Sequence, residues 1–214
     1  MAHHRYNSPT KELLSIGDIR GSSSWLDYSS YGITSKEIPE LIKMATDEKL
    51  NFAGSTSTYV WAPLHAWRAL GQLHAVQAID PLISLFEKLE DDDWANEDLP
   101  TVFGMLGKAA IPNLSKYLFE TSHSDMAKIV CANCILNIGM NDDKSKHLSI
   151  QVLSKALEGY LANSPTMNAF YIWFLKDLGA KNQLPLIREV YSKGEVDVQV
   201  IGSLEKIESD FYYF

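Results

Sequence analysis

The stretch that decides the fold is Tyr59-Val60-Trp61-Ala62-Pro63-Leu64-His65-Ala66-Trp67-Arg68-Ala69-Leu70-Gly71, with its continuation over residues 72–90. Its apolar residues at 60, 64, 67 and 70 have the three- and four-residue spacing of one helical face. Pro63 suits a first helical turn, and Gly71 stands where a helix end favours positive φ. Asp80-Pro81 then provides a cap and a first helical position for the apolar run from Ile79 to Leu89. The stretch therefore predicts a helix over 59–71, a turn and a second helix.

The ending of that helix, Leu or Ile followed by Gly, recurs at Gly107, Gly139 and Gly179, so that successive copies lie 32 to 40 residues apart. Positions one, four, five and eight residues before each glycine share one helical face. That face is apolar in nearly every copy: Leu70, Trp67, Ala66, Pro63; Leu106, Phe103, Val102, Leu99; Ile138, Ile135, Cys134, Cys131; Leu178, Leu175, Phe174, Tyr171. A period of this length indicates stacked helix pairs that share a core. The predicted fold is all-α, an α-α superhelix of about four to five antiparallel helix pairs; the alternative is a bundle of unrelated amphipathic helices.

Two segments resemble a known family. Ala-Leu-Gly-Gln-Leu-x-Ala-x-x-Ala-Ile-x-Pro-Leu at 69–82 and Met-Leu-Gly-Lys-Ala-Ala-Ile-Pro-Asn-Leu at 105–114 are similar to HEAT-like repeats of the phycobilisome-lyase type. The resemblance spans roughly residues 58–208. It implies a right-handed α-solenoid used mostly for protein contacts, and some members of the family act in attaching or removing bilin chromophores.

Size and composition narrow the class of protein. The chain has 214 residues, 46% hydrophobic and 21% charged, which is ordinary for a folded domain. A formal net charge of −8 without a Lys/Arg cluster argues against nucleic acid and anionic membranes as partners. No apolar run reaches 18 residues and no signal peptide is recognisable, so we expect a cytoplasmic protein. The sequence gives no indication of its oligomeric state.

The repeats define the expected domains. Residues 1–33 mix Gly and Ser clusters with apolar residues, which predicts a loop-rich extension packed on the repeats, and residues 34–214 form a single solenoid domain. Within it, a helix begins near Thr34 with Ser35 as its N-cap and continues to about Leu50. The aromatic C-terminal tail, residues 211–214, is expected to cap the last core; docking on a second chain is the alternative.

The run Glu90-Asp91-Asp92-Asp93 is the most acidic part of the chain. It lacks the alternating ligands and intervening Gly of a helix–loop–helix calcium site. We expect Asp93 to be the N-cap of the helix over 94–106, which contains Pro100. A basic partner docking on the run is a further interpretation.

Cys131 and Cys134 have the spacing of a Cys-x-x-Cys pair. A redox pair needs a helix N-terminus, and a zinc site needs two more ligands. Both residues lie instead on the apolar face defined above, which predicts core cysteines and no metal.

One polar stripe is a candidate binding site. Trp61, His65, Arg68 and Gln72 follow steps of four, three and four on the predicted helix 59–71, opposite its apolar face. Trp94, Asp92 and Asp93 are expected one repeat further along the same side. Trp and Arg are common at binding hot spots. The alternatives are an ordinary polar face, Trp61 packed on the N-terminal segment, and a weak surface ion pair between Arg68 and the acidic run.

No catalytic motif occurs: the sequence lacks a Gly-x-Ser-x-Gly turn, a phosphate-binding loop, a dinucleotide fingerprint and a His-Glu-x-x-His pair. We therefore expect a non-catalytic scaffold module that binds a protein partner and carries no cofactor. The alternative, from the family resemblance, is a bilin lyase or a chaperone of chromophore attachment.

Overall fold

Short helices joined by tight turns make up the computed structural model, which describes residues 6–18 and 24–212. Within those ranges there is no β-strand, and the predicted all-α class is confirmed. The helices are α1 Leu13–Ile16, α2 Ile38–Ala45, α3 Glu48–Asn51, α4 Ala62–Gln72, α5 Ile79–Ile83, α6 Asp93–Leu106, α7 Ile111–Phe119, α8 Asp125–Asn141, α9 Asp143–Glu158, α10 Pro165–Asp177, α11 Leu184–Ser192, α12 Val198–Ile201 and α13 Leu204–Tyr212. Turns of 3₁₀ helix precede several of them, including Thr58–Trp61 before α4.

The chain divides into two compact units, residues 1–106 and 107–214. In unit 1, α4 is the central helix: residues 62–71 are all buried, and α2 and α6 both pack against it. Residue 68 of α4 contacts residue 98 of α6, and residues 61 and 74, just before and just after α4, contact residues 94 and 105 of α6, so these two helices run in the same direction. The segment before α2 covers the remaining side of α4, with Leu13, Leu14 and Tyr28 fully buried.

In unit 2, α8 is the central helix. Helices α7, α9 and α10 pack against it, and α13 contacts α10 and α11. Phe211 is buried at the end of α13, whereas Tyr212 is 80% exposed. The other two aromatic residues of the tail lie outside the described residues.

The apolar columns predicted from the four glycines are confirmed. Every residue at positions one, four, five and eight before each glycine is buried. This includes the two cysteines, which are free thiols in the core of unit 2. The spacing of apolar residues alone therefore located the buried face of α4, α6, α8 and α10.

The glycines themselves have two different roles. Gly107 and Gly179 have positive φ, 73° and 66°, as a helix end requires. The same expectation for Gly71 is wrong, because α4 continues to Gln72 and His74 takes the left-handed position with φ 49°. Gly71 and Gly139 lie inside helices, where a Cβ would approach Met105 to 3.1 Å and Ser149 to 2.8 Å. At these two positions glycine permits close packing.

Several helix starts also differ from prediction. Thr34, and not Ser35, caps the first turn, because its side chain accepts from the N–H of Lys36 while Glu37 bonds back to Thr34. The predicted helix to Leu50 is interrupted after Ala45. Helix α5 begins at Ile79, two residues before Pro81. Pro100 lies inside α6, as predicted.

Candidate functional site

The predicted binding stripe on α4 is mostly internal to unit 1. His65 is 0% exposed and Arg68 is 7% exposed, and the N-terminal segment lies over both. The hypothesis that Trp61, His65, Arg68 and Gln72 present one open surface is therefore wrong for its central residues. The physical reason is that the segment before α2 uses the polar stripe as its own attachment site.

His65 and Gln72 bond the N-terminal segment directly. His65 Nε2–H donates to the Gly17 carbonyl at 2.9 Å, which leaves Nδ1 to accept from the Tyr28 hydroxyl at 2.8 Å. Burial lowers the pKa of His65, while the Gly17 bond opposes that shift. Burial also raises the pKa of Tyr28. Gln72 donates to the Leu26 carbonyl at 2.7 Å and accepts from the N–H of Tyr28 at 3.1 Å.

Arg68 forms a bidentate pair with Asp98 of α6. Its Nε and one terminal nitrogen donate to the two carboxylate oxygens at 2.6 and 3.0 Å. The guanidinium carbon also lies 4.7 Å from the centre of the Trp25 ring. The predicted weak surface pair with the acidic run is wrong: the partner is Asp98, and the pair is buried.

The open part of the site lies at the N-terminal ends of α4 and α6. Trp61 and Trp94 meet edge to face, with ring centroids 5.5 Å apart and planes at 73°. Beside them is a cavity of about 230 Å³. Its lining residues come from three consecutive parts of unit 1: Asn51, Ser55, Val60, Trp61, Leu64, Trp67, Asp92 and Trp94.

Trp67 and Leu64 form the floor of this cavity, which we call the tryptophan cleft. Both side chains are 3% exposed, and the Trp67 indole N–H donates to the Ala45 carbonyl at 3.1 Å. That bond ties the floor to α2. Trp61 and Trp94 are only partly buried, so they provide walls that a ligand can reach.

Asp92 is the acidic group in the cleft wall. One of its carboxylate oxygens accepts from the N–H of Ala95 at 3.0 Å, so Asp92, and not Asp93 as predicted, caps α6. Asp93 is the first residue of the helix and is exposed. The cap fixes the Asp92 carboxylate next to Trp94.

The sequence therefore predicted that Trp61, Trp94 and Asp92 belong to one site. It did not predict the other residues that contact Arg68 or line the cleft. Asp98 and Trp25 hold Arg68, and Asn51 and Ser55 line the cleft. Asp98 follows an acidic run, so nothing in the sequence distinguishes it from its solvated neighbours. For Trp25, an aromatic residue in a Ser-rich segment was a signal that the segment packs, but not of what it contacts.

The chemistry available elsewhere in the described residues is sparse. The pKa values of the Cys131 and Cys134 thiols are raised by burial, which favours the unreactive protonated form. Among residues 6–18 and 24–212, no group of three or more His, Cys, Asp or Glu side chains could hold a metal ion. Over the same ranges, no helix is long and apolar enough to cross a bilayer.

Comparison with protein-family models, curated proteins and solved structures found no match for this chain.

Proposed function

We propose that this protein is a non-catalytic interaction module that binds a protein partner through the tryptophan cleft. The observation that carries the proposal is the cleft itself: two partly exposed tryptophans and an aspartate around a preformed cavity of about 230 Å³. Tryptophan is enriched among the residues that dominate binding energy, and such residues pair with pockets on the partner surface. The partner is a protein in the cytoplasm, and neither nucleic acid nor a membrane is part of the proposal.

The two cysteine thiols and the His65 imidazole lie in settings that fit a non-catalytic role. Both thiols are buried and protonated, and both ring nitrogens of His65 are engaged in structural bonds. A general base must reach a substrate proton, and a buried histidine held on both sides is poorly placed to do so. These observations support binding over catalysis.

We also propose that the helices belong to a short HEAT-like solenoid. One local arrangement supports this in each unit: a helix ends at a left-handed residue, a 3₁₀ turn follows, and a Pro-bearing helix begins. It occurs at α4, His74 and α5, and again at α10, Gly179 and α11. In both copies the residue after the left-handed one donates its backbone N–H to the carbonyl five residues earlier. Ala75 donates to Leu70, and Ala180 donates to Leu175.

The bilin alternative gains no support from the cleft. Sites for drug-sized ligands usually enclose about 300–1,000 Å³. A linear tetrapyrrole falls in that size range, whereas the tryptophan cleft offers about 230 Å³. The cleft is better matched to a single side chain of a protein partner.

A photo-crosslinking experiment tests the proposal. The photoreactive residue p-benzoylphenylalanine replaces Ser55, which is exposed and lines the cleft, or Ser192, which is exposed in unit 2. Each protein is irradiated in native lysate, and any partner crosslinked only from position 55 is purified for direct binding measurements.

Trp94→Ala should weaken that binding by about thirty-fold, the effect of losing a hot-spot residue worth about 2 kcal/mol. Trp173→Ala, at a 40% exposed tryptophan of unit 2, should leave it unchanged. Circular dichroism confirms that both variants fold. Equal binding by the two variants would contradict the proposal, and a visible absorption change on adding bilin would favour the lyase instead.

A further inference from the structure

Residues 25–28 lie on α4 through bonds of the kind that a protein forms with a bound peptide. The Gln72 side chain bonds main-chain atoms of this segment: it donates to the Leu26 carbonyl and accepts from the N–H of Tyr28. In peptide recognition, main-chain bonds give affinity for many sequences, and pockets for individual side chains give specificity. We call the part of α4 that holds residues 25–28 the segment groove.

Two side chains give the segment its specificity. Tyr28 is 1% exposed, and its hydroxyl lies 2.8 Å from Nδ1 of His65. The ring of Trp25 lies against Arg68, with the guanidinium carbon 4.7 Å from the ring centre. Asp27, between them, is exposed, and its side chain caps the 3₁₀ turn that follows. The pattern that fits the segment groove is therefore an aromatic residue followed three positions later by tyrosine.

The segment leaves part of its groove unfilled. A cavity of about 280 Å³ is lined both by residues 27–29 and Ile33 and by Ala69, Gln72 and Leu73 of α4. A gap beside a side chain forfeits the dispersion contacts that a filled site provides. A segment that fills this space would therefore gain contacts that residues 25–28 do not make.

The chain on either side of residues 25–28 has attachments of its own. Before the segment, α1 packs on α4 and on the turn that precedes α4, with Leu13 and Leu14 fully buried. After the segment, Ile33 is 2% exposed, and Thr34 caps the first turn before α2. Because these attachments do not involve residues 25–28, the segment can leave the groove by local opening, which costs less free energy than global unfolding.

We propose that the segment groove, formed by His65, Arg68 and Gln72, is a second binding site. Its occupant is an extended segment of a partner protein in which an aromatic residue precedes a tyrosine by three positions. Residues 25–28 act as a tethered competitor, since a tether gives them a high effective concentration at the groove. The inference goes beyond the proposed function, because the tryptophan cleft has a different set of lining residues.

The unfilled cavity favours a different protein over a second copy of this chain. A second copy would insert the same residues 25–28 and leave the same space of about 280 Å³ unfilled. It would also lose the effective concentration that the tether provides. A foreign segment with a larger side chain facing the cavity offsets that loss with new contacts.

The test uses the full-length protein and the fluorescein-labelled peptide Ser-Trp-Leu-Asp-Tyr-Ser, which copies residues 24–29. Fluorescence anisotropy measures its binding to the wild type and to the double variant Trp25→Ala/Tyr28→Ala, in which the tethered competitor is disabled. We expect the double variant to bind at least about ten-fold more tightly, because the segment groove is free. Trp25→Ala alone, at a partly exposed side chain, should give a smaller gain in the same direction, and circular dichroism confirms folding.

Matched substitutions locate the peptide in the groove. Added to the double variant, Gln72→Ala should weaken peptide binding about ten-fold, because it removes two main-chain hydrogen bonds. Gln77→Ala, at an exposed glutamine in the next turn, should leave it unchanged. A peptide with Ala in place of Trp should bind about ten-fold more weakly, whereas Asn in place of Asp should change binding by less than about two-fold.

Hydrogen exchange of the wild type tests displacement without any substitution. Millimolar peptide should accelerate exchange over residues 25–32, because the displaced Tyr28 N–H loses its bond to Gln72 and the turn after it opens. Exchange in α2 and α6 should stay unchanged.

Unchanged exchange over residues 25–32 at millimolar peptide would overturn the inference, as would equal affinity of the wild type and the folded double variant. Equal effects of Gln72→Ala and Gln77→Ala would overturn the location. A concentration-dependent dimer of the wild type that Trp25→Ala/Tyr28→Ala abolishes, seen by analytical ultracentrifugation, would overturn the foreign partner in favour of a second copy.

Discussion

Arg68 and Asp98 show how the setting of a residue determines its role. On a solvated helix face such a pair contributes little to stability. Here both side chains are less than 10% exposed, so each charge has lost its hydration and depends on the other. A pair of this kind adds little net stability, because desolvation offsets the attraction, but removing one member leaves a buried charge uncompensated. The pair therefore mainly fixes how α6 lies against α4.

His65 makes unit 1 sensitive to acid. Its pKa is lowered from 6.5, chiefly by burial. Below about pH 6.5 the unfolded chain therefore takes up a proton that the folded chain does not. The stabilising contribution of neutral His65 is complete above that pH and is lost as the pH falls, with a slope of at most about 1.4 kcal/mol per pH unit. Arg68 lowers the same pKa and Asp98 raises it.

We expect the free energy of unfolding to fall more between pH 7.5 and pH 5.5 in the wild type than in His65→Gln. Urea unfolding followed by circular dichroism measures both. His147→Gln, at an exposed histidine, is the matched control and should keep the wild-type pH dependence. A wild-type slope in His65→Gln would show that other groups cause the acid sensitivity.

At the scale of helices, the sequence predicted which face of each helix is buried better than it predicted where each helix begins and ends. The three- and four-residue spacing of apolar residues identified the core side of α4, α6, α8 and α10, because burial of that face is what makes a short helix stable. The cap of the first turn before α2 was also readable: Thr34 with Glu37 three residues later is a capping box, whereas Ser35 lacks that partner. The end of α4 was not readable, since a left-handed His74 is uncommon for a residue with a Cβ.

Gly139 tests the packing role of a glycine inside a helix. A Cβ at this position would lie 2.8 Å from Ser149 Cβ and 2.9 Å from Leu178 Cδ2. Gly139→Ala should therefore destabilise the protein by about 1–3 kcal/mol through overpacking, despite the better helix propensity of alanine. Gly54→Ala is the control, because a Cβ added there would meet no atom within 4 Å and the φ of Gly54 is not in the left-handed range. Urea unfolding compares the two, and a Gly139→Ala variant as stable as wild type would mean that α9 and Leu178 can move apart.

At the scale of the whole molecule, the sequence predicted the helical class and three residues of the cleft. It could not predict that Gly17 and residues 25–28 would occupy the polar stripe of α4, because the bonds of His65 to Tyr28 and Gly17 join residues 37 and 48 positions apart. Nothing in the local pattern of either segment encodes such a pairing. The same limit applies to Asp98, which differs from other acidic residues near it only by its distant partner.

The number of cooperative domains in the chain can also be tested at this scale. A single solenoid domain over 34–214 would share one core, whereas the structure divides into units 1–106 and 107–214. Arg68→Met leaves Asp98 uncompensated in unit 1 and should cost about 3–5 kcal/mol. Gly139→Ala strains only contacts within unit 2.

Hydrogen exchange read by mass spectrometry locates the effect of each variant. If the units open separately, Arg68→Met should accelerate exchange in α4 and α6 and leave α8 and α10 unchanged, because amide protection follows the local free energy of opening. Gly139→Ala should give the reverse pattern. Arg188→Ala, which removes an exposed ion pair with Glu208, is a control expected to change neither unit beyond the ends of α11 and α13. Acceleration of both units by either core variant would instead indicate one cooperative domain, in which a disturbance in either core is felt along the whole chain.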